Sequence, residues 1–155
     1  MEKSKNLTAW NTMLRIALGF YIYGATVLEV FVYYPAWVHI HSDWPSFKVL
    51  VDRLIIPYYV VPCFLVLIPS VLMFWHRPAV IPRWSVWAAL ALLLIPTVST
   101  LAIQLPIQFK LEEGFDPVLY QKLRSTDLVY RQIAAFLGFL LNGWMLLRVV
   151  QNQKD

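Results

Sequence analysis

Four polar side chains recur along one apolar stretch at spacings that place them on one face of a helix. The spacings are three, four and four residues, so at about 100° per residue the four stay within about 80° of arc. They are Thr97, Thr100, Gln104 and Gln108. Hydroxyl and amide groups on one face can hydrogen-bond the oxygen functions of a ligand. We therefore predict that this face binds a substrate.

Three ionisable residues stand within or beside apolar stretches, where charged groups are costly and often functional. Asp127 and Arg131 are four residues apart and so share a helical face, and Glu29 belongs to the first apolar stretch. A carboxylate can take a proton from a substrate, and an arginine can stabilise the oxyanion that forms. The sequence therefore predicts Glu29, Asp127 and Arg131 as catalytic residues.

The second apolar stretch adds Arg53 and Tyr58, which we also predict to contact a substrate. Two interpretations of all these groups stay open. In the first, they only satisfy one another, with Glu29 and Asp127 neutralising Arg53 and Arg131. In the second, they line a cavity that is open toward the outer leaflet, apolar below and polar at its rim.

The elements that must position these residues are membrane-spanning helices. Of 155 residues, 59% are hydrophobic and 14% are charged, whereas a soluble domain has roughly a quarter charged residues. Four stretches approach the roughly 20 apolar residues that a spanning helix needs. They predict one all-α domain, residues 1–155, a four-transmembrane-helix bundle with helices at about 10–34, 47–75, 84–109 and 126–150. Ser125 or Thr126 is expected to cap the fourth helix, and residues 111–124 to fold back over the mouth of the bundle.

The charges are distributed unevenly between the two ends of this bundle. The end with both termini and the 76–83 connection has seven Lys or Arg against two Asp or Glu, and the other end has six against seven. Because basic loops stay in the cytoplasm, we predict a multi-pass protein of the cell inner (plasma) membrane with cytoplasmic termini and a polar, outward-facing pocket. The same distribution argues against a nucleic-acid-binding surface.

Cysteine and histidine limit the redox and metal chemistry that we expect. Cys63 is the only cysteine, which excludes the small four-helix quinone-linked enzymes that need a cysteine pair. His76 falls at the opposite membrane face from His39 and His41, so a three-histidine site is excluded. A site from His39, His41 and Glu29 stays open, but we predict neither a metal nor a cofactor.

The run from Thr100 to Leu111 reads Thr-Leu-Ala-Ile-Gln-Leu-Pro-Ile-Gln-Phe-Lys-Leu, and a polar loop then leads to Asp127 and Arg131. This pattern resembles the anthrone oxygenase-like family of small four-helix membrane proteins. That family typically has Thr, then Asn four residues later, Pro six later, Asn eight later and Leu eleven later, with a downstream Asn and Arg. Both amides are Gln in this chain, and Asp127 precedes the arginine by four residues where the family has Asn at three.

The resemblance covers residues 97–131 and implies both an activity and a site. Family members of polyketide pathways oxidise anthrones to anthraquinones with oxygen and no evident cofactor, whereas many bacterial members have no known activity. The matching positions, carried over as site residues, are Thr100, Gln104, Gln108 and Arg131.

Two functional hypotheses follow. The first is a cofactor-independent oxygenase or related oxidoreductase that acts on a hydrophobic aromatic or polycyclic substrate. The second is a non-catalytic membrane protein, which either binds a lipid-like or quinone-like ligand or serves as an accessory subunit of a membrane complex. The expected partners are membrane lipids and a hydrophobic small molecule, together with further copies of the chain or another membrane protein.

Overall fold

A computed structural model of the chain describes residues 2–40 and 43–152. It has four helices that are long and apolar enough to cross a membrane, and no strand lies among the described residues. These helices are α1 (Asn6–Trp37), α2 (Trp44–Leu72), α3 (Arg83–Glu112) and α4 (Pro117–Gln151). The predicted all-α four-helix bundle of a multi-pass membrane protein is confirmed.

The start of α1 lies beside the end of α2 and the connection from α2 to α3. Asn11 Nδ2 donates hydrogen bonds to the carbonyl oxygens of Pro69 and His76, each at 3.2 Å. At the same end, the rings of Trp84 and Trp144 lie 5.3 Å apart and join the start of α3 to the last turns of α4. We call this the terminal end, and we call the opposite one the capped end.

A cluster of large aromatic and aliphatic side chains lies across the capped end. Trp37 of α1 is fully buried and packs edge-on against Trp44 of α2, with ring centroids 5.4 Å apart. Trp44 Nε1 donates to the carbonyl oxygen of Leu111 at 2.6 Å, which ties α2 to the end of α3. The buried members of the cluster are Val30, Tyr34, Trp37, Trp44, Ile107, Leu111, Tyr120 and Leu123.

Each of the four helices contains one π-helical turn, in which a backbone N–H bonds the carbonyl five residues earlier. The turns are Glu29–Tyr33, Ile56–Val60, Thr100–Gln104 and Leu128–Gln132. Pro35 and Pro106 each follow a turn by two residues, and Pro57 lies inside one. Because proline has no backbone N–H and clashes with the preceding turn, a regular α-helix is disfavoured at these places.

The structure differs from the sequence-based expectation at the start of α4. This helix begins at Pro117, not near residue 126, and its first turn is capped by the Asp116 side chain, which accepts from the N–H groups of Val118 and Leu119. The predicted caps Ser125 and Thr126 are wrong, because both hydroxyls lie inside the helix and donate to the carbonyl oxygen of Lys122. Residues 117–127 therefore extend the spanning helix.

Candidate functional site

Three charged side chains from two helices meet inside the bundle. Arg131 Nη2 of α4 lies 2.5 Å from Glu29 Oε2 of α1, and Arg131 Nη1 lies 2.6 Å from Asp127 Oδ1 one turn away. None of the three is more than 7% exposed. One arginine therefore serves two carboxylates in a region of low dielectric constant, where an unpaired charge is very costly.

Neutral polar groups surround this charged cluster and form hydrogen bonds with its side chains. Arg131 Nη2 also donates to the Tyr59 hydroxyl of α2, which lies 3.0 Å from the Thr26 hydroxyl. The Tyr34 hydroxyl donates to Glu29 Oε1 at 3.1 Å. On the other side, Gln132 Nε2 donates to the Thr26 carbonyl oxygen at 2.8 Å. The cluster thus links three of the four helices.

A cavity of about 220 Å³ lies next to the charged cluster and is lined by all four helices. Its walls are mainly aliphatic and aromatic, with polar side chains at the two ends and with Thr97 and Thr100 on the α3 wall. Arg131, Tyr59 and Thr26 lie at the end nearer the capped end of the bundle, and Arg15 and Asn142 lie at the other. Arg131 and Asn142 are eleven residues apart on α4, which corresponds to about 16 Å at 1.5 Å per residue.

The cavity opens sideways, between α2 and α3. Of its lining residues, only Phe64 of α2 and Leu101 of α3 are exposed, at 49% and 55%. The two helices contact each other at their ends, where Lys48 bonds Gln108 and where the rings of Phe74 and Trp87 lie 4.7 Å apart. Phe64 and Leu101 therefore flank a mouth that faces lipid, while the aromatic cluster covers the capped end.

At the terminal end of the cavity, Arg15 Nη1 donates to Asn142 Oδ1 at 2.9 Å. Gly19 makes this approach between α1 and α4 possible. A Cβ atom added at Gly19 would lie 2.0 Å from Asn142 Nδ2 and 2.8 Å from Arg15 Nη1. The sequence places Arg15 among the basic residues of this end, but its side chain is only 3% exposed.

The predicted catalytic residues Glu29, Asp127 and Arg131 are brought together in the charged cluster. Two of the predicted substrate-binding residues, Thr97 and Thr100, line the cavity. The other residues predicted to bind substrate lie elsewhere. They are Gln104, Gln108, Arg53 and Tyr58.

Gln104 and Gln108 have different surroundings. Gln104 is fully buried, and neither its Oε1 nor its Nε2 has a hydrogen-bond partner among the described residues. Gln108 Oε1 accepts from Lys48 Nζ at 3.1 Å, and Lys48 also pairs with Asp52 at 2.5 Å. The predicted polar stripe is therefore split, because the π turn Thr100–Gln104 inserts an extra residue into its helical register.

Arg53 and Tyr58 do not line this cavity, and their contact with a substrate stays a prediction. Both side chains are exposed, Tyr58 at 66%, and Arg53 forms no ion pair with the described residues. The neighbouring Tyr59 faces the interior, where its hydroxyl accepts a hydrogen bond from Arg131.

The histidine site that stayed open gains no support from the described residues. His41 lies outside them, His39 is exposed, and Glu29 is paired with Arg131. Residues 2–40 and 43–152 contain no group of three or more His, Cys, Asp or Glu side chains that could hold a metal ion.

Several partners of the site were not identified from the sequence. Tyr34 and Gln132 were missed, although Gln132 directly follows Arg131 and is a polar residue in an apolar stretch. Lys48, whose side chain is fully buried, was also not singled out from the sequence. The i, i+4 spacing of Lys48 and Asp52 was the available signal for that pair.

Comparisons of this chain with protein-family models, with curated proteins and with solved structures give no match.

Replacing Arg131 with Met should strongly destabilise the bundle, because two carboxylates would be left buried without their cation. We expect the free energy of unfolding to fall by about 3–5 kcal/mol. Arg53→Met is the matched control and should change it by less than about 0.5 kcal/mol, since Arg53 is exposed. Unfolding in mixed micelles measures both, and equal effects would contradict the central role of Arg131.

The two glutamines of α3 should respond in opposite directions to the same substitution. Gln104→Leu removes a buried amide without partners, so it should raise the free energy of unfolding by on the order of 1 kcal/mol. Gln108→Leu should lower it by a similar amount, because Lys48 loses an acceptor. The same unfolding assay compares them, and a loss on Gln104→Leu would show that this amide has a stabilising partner.

Proposed function

We propose that this protein takes a hydrophobic small molecule from the bilayer and holds it in the cavity between its four helices. The observation that carries the proposal is the cavity itself, which has apolar walls, polar groups at both ends and a mouth that faces lipid. Concave apolar sites with a few placed polar groups are typical of ligand sites.

The size of the cavity favours a slender ligand. Its volume of about 220 Å³ is below the roughly 300–1,000 Å³ of most drug-sized ligand sites. A single chain or a small ring system with one end left at the mouth fits this space better than a bulky polycyclic molecule. The basic terminal end supports a cytoplasmic location for both termini, which we include in the proposal.

Two glycines offer a matched test of this binding. A Cβ atom at either Gly138 or Gly24 would meet nothing within 4 Å, but only Gly138 lines the cavity. In nanodiscs that contain a photoreactive long-chain alcohol, wild type should be labelled on buried cavity residues such as Ala134 as well as on the lipid-facing surface. Gly138→Leu should abolish the cavity adducts and leave the surface adducts, and Gly24→Leu should change neither.

Peptide mass spectrometry maps the adducts. Wild-type protein labelled on its lipid-facing surface alone would contradict the proposal, and so would cavity labelling that Gly138→Leu leaves unchanged.

A second candidate is catalysis at the capped half of the same cavity, as the anthrone oxygenase-like resemblance implies. One observation favours it. The Tyr59 hydroxyl lines the cavity and accepts a hydrogen bond from Arg131, which in turn is paired with Glu29 and Asp127. A substrate oxygen next to Tyr59 would therefore meet a hydroxyl and a guanidinium that can stabilise negative charge, beside carboxylates that can exchange a proton.

This second candidate is tested with anthrone and oxygen. Purified protein should form anthraquinone faster than the uncatalysed reaction, and Tyr59→Phe, which removes only the hydroxyl, should lower kcat by roughly 100-fold or more. Tyr58→Phe is the control and should keep full activity, because Tyr58 is exposed. A wild-type rate equal to the background would exclude anthrone oxidation.

A further inference from the structure

Three cationic side chains are buried in the described part of the chain, and they differ in how their charge is balanced. Arg131 has two carboxylates within 2.6 Å, and Lys48 has Asp52 at 2.5 Å. Arg15 is as deeply buried, at 3% exposure, but no carboxylate of the described residues lies within ion-pair distance of it. Its one side-chain hydrogen bond there is to the neutral amide of Asn142.

A buried guanidinium without a counter-charge is costly, so its position needs an explanation. Arg15 lines the cavity, where an anionic group of a ligand could approach it. There is space beside it, because Gly138 also lines the cavity one turn from Asn142 and has no atom within 4 Å of where its Cβ would be. The Asn142 side chain holds one guanidinium nitrogen and so orients the group.

From this geometry we infer that the ligand is a long-chain carboxylic acid whose carboxylate pairs with Arg15 at the terminal end of the cavity. The inference rests on the proposed ligand-binding function and specifies the ligand class. The chain of the acid would extend along the apolar walls past Thr97 toward the mouth between Phe64 and Leu101. Since the cavity is small, the far end of the chain would remain in the bilayer.

The route into the cavity favours a carboxylic acid over other anionic amphiphiles. A ligand that enters at the mouth must pass apolar walls before it reaches Arg15, and a charged group crosses such surroundings at a high cost. A carboxylic acid can pass as the neutral acid and ionise beside the guanidinium. A phosphate monoester stays charged at neutral pH and cannot use this route as easily.

The test compares three ligands with the same 18-carbon chain, oleic acid, oleyl alcohol and oleyl phosphate, by displacement of a fluorescent fatty acid from the purified full-length protein. Wild type should bind oleic acid roughly 10- to 100-fold more tightly than oleyl alcohol, which is the factor expected from charge-assisted hydrogen bonds. Arg15→Gln should bring the two affinities within about twofold, whereas Arg83→Gln, at an exposed arginine of the same end, should preserve the preference.

The outcomes separate this inference from the proposed function. If wild type binds oleic acid and oleyl alcohol equally and Gly138→Leu abolishes the binding of both, the cavity remains a ligand site but the role of Arg15 is overturned. No binding of either ligand would overturn both proposals. Tighter binding of oleyl phosphate than of oleic acid would overturn the carboxylic acid assignment, and so would a preference that Arg15→Gln leaves unchanged.

A measurement on wild-type protein covers the case in which Arg15→Gln does not fold. A fatty acid with a diazirine next to its carboxylate should label residues near Arg15 and Gly138, and one with the diazirine in the middle of its chain should label residues near Phe64 and Leu101. The reverse pattern would overturn the inference.

Discussion

The pairing of Arg131 with two carboxylates is the constraint on which the rest of the bundle depends. In hydrocarbon, an unpaired guanidinium or carboxylate has a high free-energy cost. The helices α1 and α4 must therefore pack with Glu29 and Arg131 at the same depth. The Tyr34 hydroxyl of α1 donates to Glu29, and the Tyr59 hydroxyl accepts from Arg131 and so brings α2 into the same arrangement. A register shift by one turn in either α1 or α4 would separate these groups.

The cavity follows from how the other contacts are distributed around that cluster. Apolar packing is concentrated at the capped end, around Trp37, and at the terminal end, around Met73 and Ile81. Between these two clusters, glycine and alanine on α4 leave the interior unfilled. The bundle therefore encloses an apolar space with a guanidinium at each end, and only the guanidinium of Arg131 has its charge balanced by carboxylates of the described residues.

The number of helices and the inward faces of α1 and α4 can be predicted from the sequence, because hydropathy and helical spacing determine them. The same spacing predicts an unbroken stripe from Thr97 to Gln108. That stripe is split by the π turn Thr100–Gln104, which changes the register and leaves no periodic signal. Prolines near three of the turns hint at an irregular backbone but do not specify which side chain turns inward. The burial of Arg15 depends on Asn142, which is 127 residues away in the chain, and no local pattern contains such a contact.

The attachment of α2 to α3 at both ends has a mechanical consequence. Trp44 and Lys48 join the helices at one end, and Phe74 with the short connection that follows it joins them at the other. Because α2 and α3 are joined at both ends, the gap between them can widen only if the helices bend. Both helices have an irregular position at which bending is easier, since α2 is interrupted at Val66 and α3 contains Pro96. A ligand that passes between α2 and α3 would then bend the two helices without separating the contacts at their ends. The bundle could therefore take up and release a ligand while its helices stay assembled.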